Sequence, residues 1–326
     1  MKIALFITKD VVASSVIGIL DFVDFANRLA PPKSAPLTVE VISINPEPVV
    51  SSQGLVIPAK WIGDHPEESE FAYIWFLGSR YAGTELLRTQ ALDAALHKTL
   101  FKSFAGKAQH IAASCTGVAV MAEVLELEHK NITASWWLGR YFAEFHPTLK
   151  LSLSNRHARD GKFITSGATN CYQNLVLSMI QTHYGHAVAQ QLCKWLAISP
   201  LSYPQLQFAD IAVLERQAGR AMAPVVAYIH ANLAEELSNQ RLADIAATTP
   251  RTLLRQFKRY FAMTPAEYVR LLRLEKTREL IMENAYSLAK IASLVGYQDE
   301  KALAKLFAKH FGVSVTQARK GSSTLL

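Results

Sequence analysis

LADIAATTPRTLLRQFKRYFAMTP at residues 242–265 and SLAKIASLVGYQDEKALAKLFAKHFGVS at residues 287–314 are near repeats of one another. Leu242-Ala243-Asp244-Ile245-Ala246 matches Leu288-Ala289-Lys290-Ile291-Ala292 at a shift of 46, and Leu253, Phe257 and Phe261 match Leu303, Phe307 and Phe311 at a shift of 50. In both copies the apolar residues recur every four positions, the spacing of a buried helix face. Between the two apolar patches stand turn-forming residues: Thr248-Thr249-Pro250 in the first copy, suited to an N-cap followed by proline, and Gly296-Tyr297 in the second. Each copy therefore reads as helix, turn, helix. The change of shift leaves the first copy about three or four residues shorter between Ala246 and Leu253, and a truncated first helix or a tighter turn is expected there.

Opposite the apolar face, Arg251, Arg255 and Arg259 repeat as Lys301, Lys305 and Lys309. Like charges four residues apart cost a helix about 0.2–0.5 kcal/mol per pair. One such stripe is compatible with a merely solvated face. Two in register within a repeat point to neutralising phosphates. The charge balance agrees: residues 1–219 carry 18 Lys+Arg against 18 Asp+Glu, residues 220–326 carry 16 against 9, so the whole net charge of +7 lies in the last third. A polyanionic partner is implied for that part alone.

Working back toward the N-terminus, short β-rich runs (KIALFI, LTVEVISI, FAYIWFLG, HIAAS, GKFITSG) alternate with helical ones (SSVIGILDFVDFANRL, GTELLRTQALDAALHKTLF, TGVAVMAEVLEL). Such alternation predicts a parallel sheet sandwiched by helices, a flavodoxin-like α/β domain over 1–200, followed by a linker at 201–219 and an all-α domain with two helix-turn-helix units over 220–326. Pro200 and Pro204 mark the linker. No apolar run reaches the roughly 18 residues of a membrane span, and Asp10 interrupts the first apolar run where a signal peptide would continue. Cys115, Cys171 and Cys193 are odd in number and widely spaced, which fits a reducing compartment. The expectation is a cytoplasmic, nucleoid-associated protein. The ten histidines show no metal-ligand spacing, His183 and His186 reading as helix surface, and neither metal nor cofactor is expected.

Over residues 221–320 the order and periodicity of these segments, with AEYVRLLRLEKTRELI joining the two copies, resemble the AraC family of regulators. In that family the second helix of each unit enters the major groove. The resemblance would place Arg251, Thr252, Leu254, Arg255 and Arg259, and Glu300, Lys301, Lys305 and Lys309, at the DNA. Arginine suits a bidentate contact with guanine, glutamate can accept from cytosine, and lysine holds phosphates.

HIAASCTGVAVMAEVLEL (110–127), NITASWWLGRYFAEFHP (131–147) and GKFITSGATN (161–170) resemble the ThiJ/PfpI class of the class I glutamine amidotransferase-like fold, which is found joined to AraC-type modules in known regulators. The resemblance puts Cys115 on the strand-to-helix turn where that class carries its nucleophile. Where its enzymes have a histidine, this chain has Ser135 before Trp136, and their first-loop acid is replaced at VVASS by Ser14 or Ser15, leaving Asp10 nearby. Nucleophilic catalysis needs a base beside the thiol, so no catalytic residue is assigned. Cys115 reads either as a small buried hydrophobe or as part of an effector pocket with Ser15, Gly78, Ser79, Arg80, Ser114, Thr116, Ser135 and Trp136 at the strand ends, where a helix N-terminus favours an anionic group. Trp136 and Trp137 would instead suit a cationic ligand.

The expected function is a sequence-specific transcription regulator whose N-terminal domain binds a small metabolite or pairs subunits. The competing reading is a Cys115-dependent hydrolase or glyoxalase fused to a DNA-binding domain. Expected partners are double-stranded DNA, RNA polymerase, a small-molecule effector and a second copy of the chain, with no membrane.

Overall fold

The computed structural model describes residues 1–66, 69–153, 155–198, 205–261 and 263–321. The chain divides into two compact units, Met1–Ser202 and Tyr203–Leu326.

The first unit is built on a seven-stranded sheet of β1 (Lys2–Ile7), β2 (Thr38–Ser43), β3 (Lys60–Trp61), β4 (Tyr73–Phe76), β5 (His110–Ser114), β6 (His157–Asp160) and β7 (Phe163–Ser166), in the order β6-β7-β5-β4-β1-β2-β3. All neighbours are parallel except the edge pair β6 and β7. The unbroken apolar run of β1 follows from burial on both faces. Ala4 and Phe6 pack with Phe76, Phe101 and Phe104 on one side, while Ile3, Leu5 and Ile7 pack with Trp75, Ile19 and Phe22 on the other. The first side is covered by α2 (Thr84–Ala95), α3 (Lys98–Lys107) and α4 (Gly117–Leu125), the second by α1 (Ala13–Leu29), and by α6 (Tyr172–Tyr184) and α7 (His186–Trp195), which follow the short α5 (Gly139–Phe145). The parallel α/β architecture expected from the alternation of runs is thus present. One element differs: GTELLRTQALDAALHKTLF is two helices, not one. The chain tightens at Leu96 and His97, whose amides bond to Asp93 and Ala94, three residues back, and Leu96 is left 82% exposed.

The second unit is helical, with α8 (Ile211–Ala218), α9 (Ala223–Ala231), α10 (Asn239–Ile245), α11 (Pro250–Phe261), α12 (Pro265–Glu283), α13 (Leu288–Leu294), α14 (Glu300–Phe311) and α15 (Val315–Gly321). The segment 201–219, expected as a plain linker, contains α8. Asp210 caps this helix by accepting from the Val213 amide at 3.2 Å, and Leu214 and Ala218, four residues apart, are buried. Glu215 accepts hydrogen bonds from the Tyr268 hydroxyl at 2.5 Å and from His230 Nε2 at 2.6 Å, fastening α8 to α12 and α9. Residues 199–204, including Pro200 and Pro204, lie outside the described residues.

Candidate nucleic-acid interface and the turn at Cys115

The two helix-turn-helix units, α10–α11 and α13–α14, are closer copies than their sequences suggest. Ser238 and Ser287 cap the first helices, each hydroxyl accepting from the amide three residues on at 3.2 Å. Leu242-Ala243 and Ile291-Ala292 are the corresponding buried pairs. Ala247 and Gly296 occupy corresponding left-handed positions, at φ 48° and 81°. The amides that follow them close the turn alike, Thr248 onto the Ala243 carbonyl at 2.9 Å and Tyr297 onto the Ala292 carbonyl at 2.8 Å. The offset is therefore 49, not 46, across the first helices. Both first helices have seven residues and both second helices twelve. The expected truncation of the first unit is corrected to a one-residue difference between turn and second helix. The LADIA–LAKIA match misleads because Leu242 is the fourth residue of α10 and fully buried, whereas Leu288 is the first of α13 and half-buried.

Each second helix is positioned from below by its apolar face and from its start by a cap. Leu253, Phe257 and Phe261 of α11 are fully buried, with Tyr268 edge-on to Phe257 and tilted against Phe261, and Leu303 and Phe307 of α14 are buried likewise. Thr249 Oγ1 accepts from the Thr252 amide at 3.2 Å and Asp299 Oδ1 from the Lys301 amide at 2.8 Å. Arg251, Arg255 and Arg259 are exposed on α11, as are Glu300, Lys301, Lys305 and Lys309 on α14. Leu254 is half-buried, and the Thr252 hydroxyl is engaged with Thr249 Oγ1 at 3.1 Å, within the cap. Arg259 lies 5.7 Å from the ring centre of its neighbour Tyr260.

In the first unit, β5 ends at Ser114, and Cys115 makes the turn into α4 at φ 55°, a left-handed conformation that non-glycine residues adopt at a cost of about 1–2 kcal/mol. Two glycines permit this. A Cβ on Gly78 would stand 2.7 Å from Cys115 Cβ, and one on Gly117 would stand 2.3 Å from the Phe76 carbonyl. The Cys115 thiol is 3% exposed. It accepts a hydrogen bond from Ser135 Oγ at 3.2 Å and lies 3.7 Å from Thr169 Oγ1. Thr116 Oγ1 accepts from the Ser79 amide at 2.7 Å and donates to the Ser79 carbonyl at 2.9 Å.

Of the expected pocket residues, Gly78, Cys115 and Ser135 meet directly, and Thr116 joins them through Ser79. Ser15 does not; its hydroxyl turns back onto the Val12 carbonyl at 2.7 Å. Arg80 is exposed and lies 3.4 Å from Asp10 across the surface. Trp136 is buried, edge-on to Trp137 at 5.1 Å. Thr169 and Cys171 complete the cluster around the thiol; Thr169 falls within the GKFITSGATN segment and Cys171 just after it, but neither is assigned to the pocket from the sequence. Burial pushes the Cys171 thiol up, against the Arg156 guanidinium that favours its ionised form.

Residues 242–321 match the family model described as a helix-turn-helix domain. Among curated proteins, the chain is 23% identical over 226 residues to the HTH-type transcriptional regulator GbdR of Pseudomonas aeruginosa, an alignment covering 69% of this chain and 61% of that one. It is 24% identical to the HTH-type transcriptional regulator CdhR of the same organism over 86% of this chain and 80% of that one. The HTH-type transcriptional activator RhaS of Enterobacter sp. is 30% identical over 39% of this chain and 49% of its own length. Among solved structures, a putative transcriptional regulator from Vibrio parahaemolyticus superposes with a TM-score of 0.52 at 18% identity, over 60% of this chain and 98% of that one. A ThiJ/PfpI family protein from Pseudomonas syringae gives 0.50 at 16% identity, over 75% of this chain and 90% of that one. These two likenesses concern the fold alone. Within the described residues no helix is long and apolar enough to cross a membrane. Residues 242–321 thus form a helix-turn-helix domain like that of HTH-type transcriptional regulators, and the N-terminal domain is similar in fold to a ThiJ/PfpI family protein.

Proposed function

We propose that the protein is a sequence-specific transcription regulator that reads two successive major-groove segments of double-stranded DNA with α11 and α14. The observation that carries this reading is the pair of twelve-residue helices, each capped, each held by a buried aromatic face, each presenting a cationic stripe outward. Arg251 and Arg255 in one unit, and Glu300, Lys301 and Lys305 in the other, are the residues we assign to bases and adjacent phosphates, with Arg259 and Lys309 further along the backbone. Leu254 supports an apolar contact, whereas Thr252 serves first as part of its helix cap. Selection of duplexes from a random pool tests this. The expected product contains two protected segments about 10 base pairs apart, centre to centre, the spacing of one helical turn; a pool that gains no common sequence would refute it.

The N-terminal domain is assigned a non-catalytic role, binding a small effector or pairing two copies of the chain in the cytoplasm, with RNA polymerase as a partner of the DNA-bound form. Among the described residues, the side chains that hydrogen-bond to Cys115 are the hydroxyls of Ser135 and Thr169, neither of which is a base at neutral pH. An enzyme would require the Cys115 thiol to be alkylated quickly by iodoacetamide at neutral pH. Labelling slower than that of free cysteine is the expected result. A metabolite panel in thermal-shift assays separates the remaining roles: stabilisation by one compound supports a sensor, stabilisation by none a pairing platform.

A further inference from the structure

Between the two helix-turn-helix units lies a cleft of about 870 Å³ whose lining includes the apolar Val269 and Ala289 and the polar Arg270, Arg273, Tyr297 and Gln298. The two arginines sit one turn apart on α12, so their guanidinium groups come from the same helix face. Arg273 is committed to structure. Its Nε donates to the Leu233 carbonyl at 3.0 Å and its Nη2 to the Glu235 carbonyl at 2.7 Å, and the guanidinium lies 5.5 Å from the Tyr297 ring centre. Gly296 makes this arrangement fit, since a Cβ there would stand 2.7 Å from Arg273 Nη2.

Arg270 is different. It is exposed, and no hydrogen bond or ion pair among the described residues occupies it. Nor is its charge offset by the neighbouring acids. Glu235 is turned to Arg241 at 3.2 Å, which leaves Glu236 at the rim as one carboxylate against two guanidiniums. The cleft therefore holds excess positive charge, a planar fork of donors and the neutral polar residues Ser293, Tyr297 and Gln298, beside apolar lining residues. A guanidinium fork of this kind matches the oxygens of a phosphate group.

We propose that this cleft binds a phosphate group through Arg270, with Tyr297 and Gln298 as neutral donors and Arg273 as a fixed positive wall. The phosphate is either a phosphodiester of the DNA lying between the two segments read by α11 and α14, which rests on the regulator reading above, or the phosphate of a small free compound.

The test uses the full chain and its Arg270→Gln variant. One arm measures affinity for a duplex selected by the wild type across a salt series; the other titrates inorganic phosphate by calorimetry. A DNA phosphodiester predicts that the salt slope falls by about 0.9 in the variant. A free phosphate compound predicts an unchanged slope, with inorganic phosphate binding the wild type and weakening at least tenfold in the variant. Arg270→Lys, which keeps the charge but not the fork, should retain the slope. An unchanged slope together with no binding of inorganic phosphate by the wild type overturns the proposal. Lys305→Ala separates this failure from that of the regulator reading: if it lowers the slope while Arg270→Gln does neither, the cleft assignment alone falls. If the wild type binds no duplex, the regulator reading falls and the phosphate titration alone decides the cleft.

Discussion

In the first helix-turn-helix unit the left-handed turn residue is Ala247, exposed to solvent; in the second it is Gly296, enclosed by Arg273 and the Ala234 carbonyl. Both backbones are left-handed, at φ 48° and 81°, and the surroundings decide which residue can serve the turn. Where the Cβ projects into water, alanine bears only the local conformational penalty. Where the turn presses on a neighbouring helix, a side chain would also collide. The units differ in the same way at their ends. Tyr260 in α11 corresponds to His310 in α14, which burial and the nearby Arg270 and Arg278 push down to a pKa of about 4.

The sharpest way to break this comparison is Gly296→Ala. It adds a strained left-handed alanine to a close approach of 2.7 Å on Arg273 and 2.8 Å on the Ala234 carbonyl, and should cost about 3 kcal/mol in urea unfolding of the C-terminal domain. Next is acid. His310 is neutral when folded and gains a proton near pH 6.5 when unfolded. The second unit should therefore lose stability as the pH falls from about 6.5 to about 4, by about 2 kcal/mol after allowing for its partial exposure. His310→Gln should flatten that slope, and Tyr260→Phe should not. A smaller effect is expected for Thr249→Ala, which removes the cap of α11 and should cost about 1 kcal/mol. Smallest, and opposite in sign, is Ala247→Gly. Relief of the left-handed conformation outweighs the added freedom of the unfolded chain, for a gain of about 0.5 kcal/mol. A loss at Ala247 comparable to that at Gly296 would show that the two turns are not alternative solutions of one geometry.

Much of the fold was legible because burial leaves periods in the sequence. The unbroken apolar run of β1 signals a strand covered on both faces, and the four-residue spacing of Leu253, Phe257 and Phe261 gives the inner face of α11. Identity was a poorer guide than burial: LADIA and LAKIA look alike, yet their leucines occupy different positions in their helices. The break at Leu96 was hidden because apolar periodicity continues through it, into α3. The cationic stripes were readable along single helices. Ser135 beside Cys115 was legible through the family resemblance, but Thr169 and the arginine cleft were not, since Thr169 lies 54 residues from Cys115 and the cleft draws on α12, α13 and two turns. Proximity of that kind is a product of the fold and leaves no local pattern.

The central claim is that α11 and α14 engage the same DNA together. Its most direct test is the salt dependence of affinity for a selected duplex, measured for the full chain, Arg255→Ala, Lys305→Ala and the double variant. Each single change should lower the slope of log affinity against log salt by about 0.9, and the double by about 1.8, because each removes one phosphate-neutralising cation. A slope unchanged in either single variant would contradict the account, since that unit would then bind no DNA backbone.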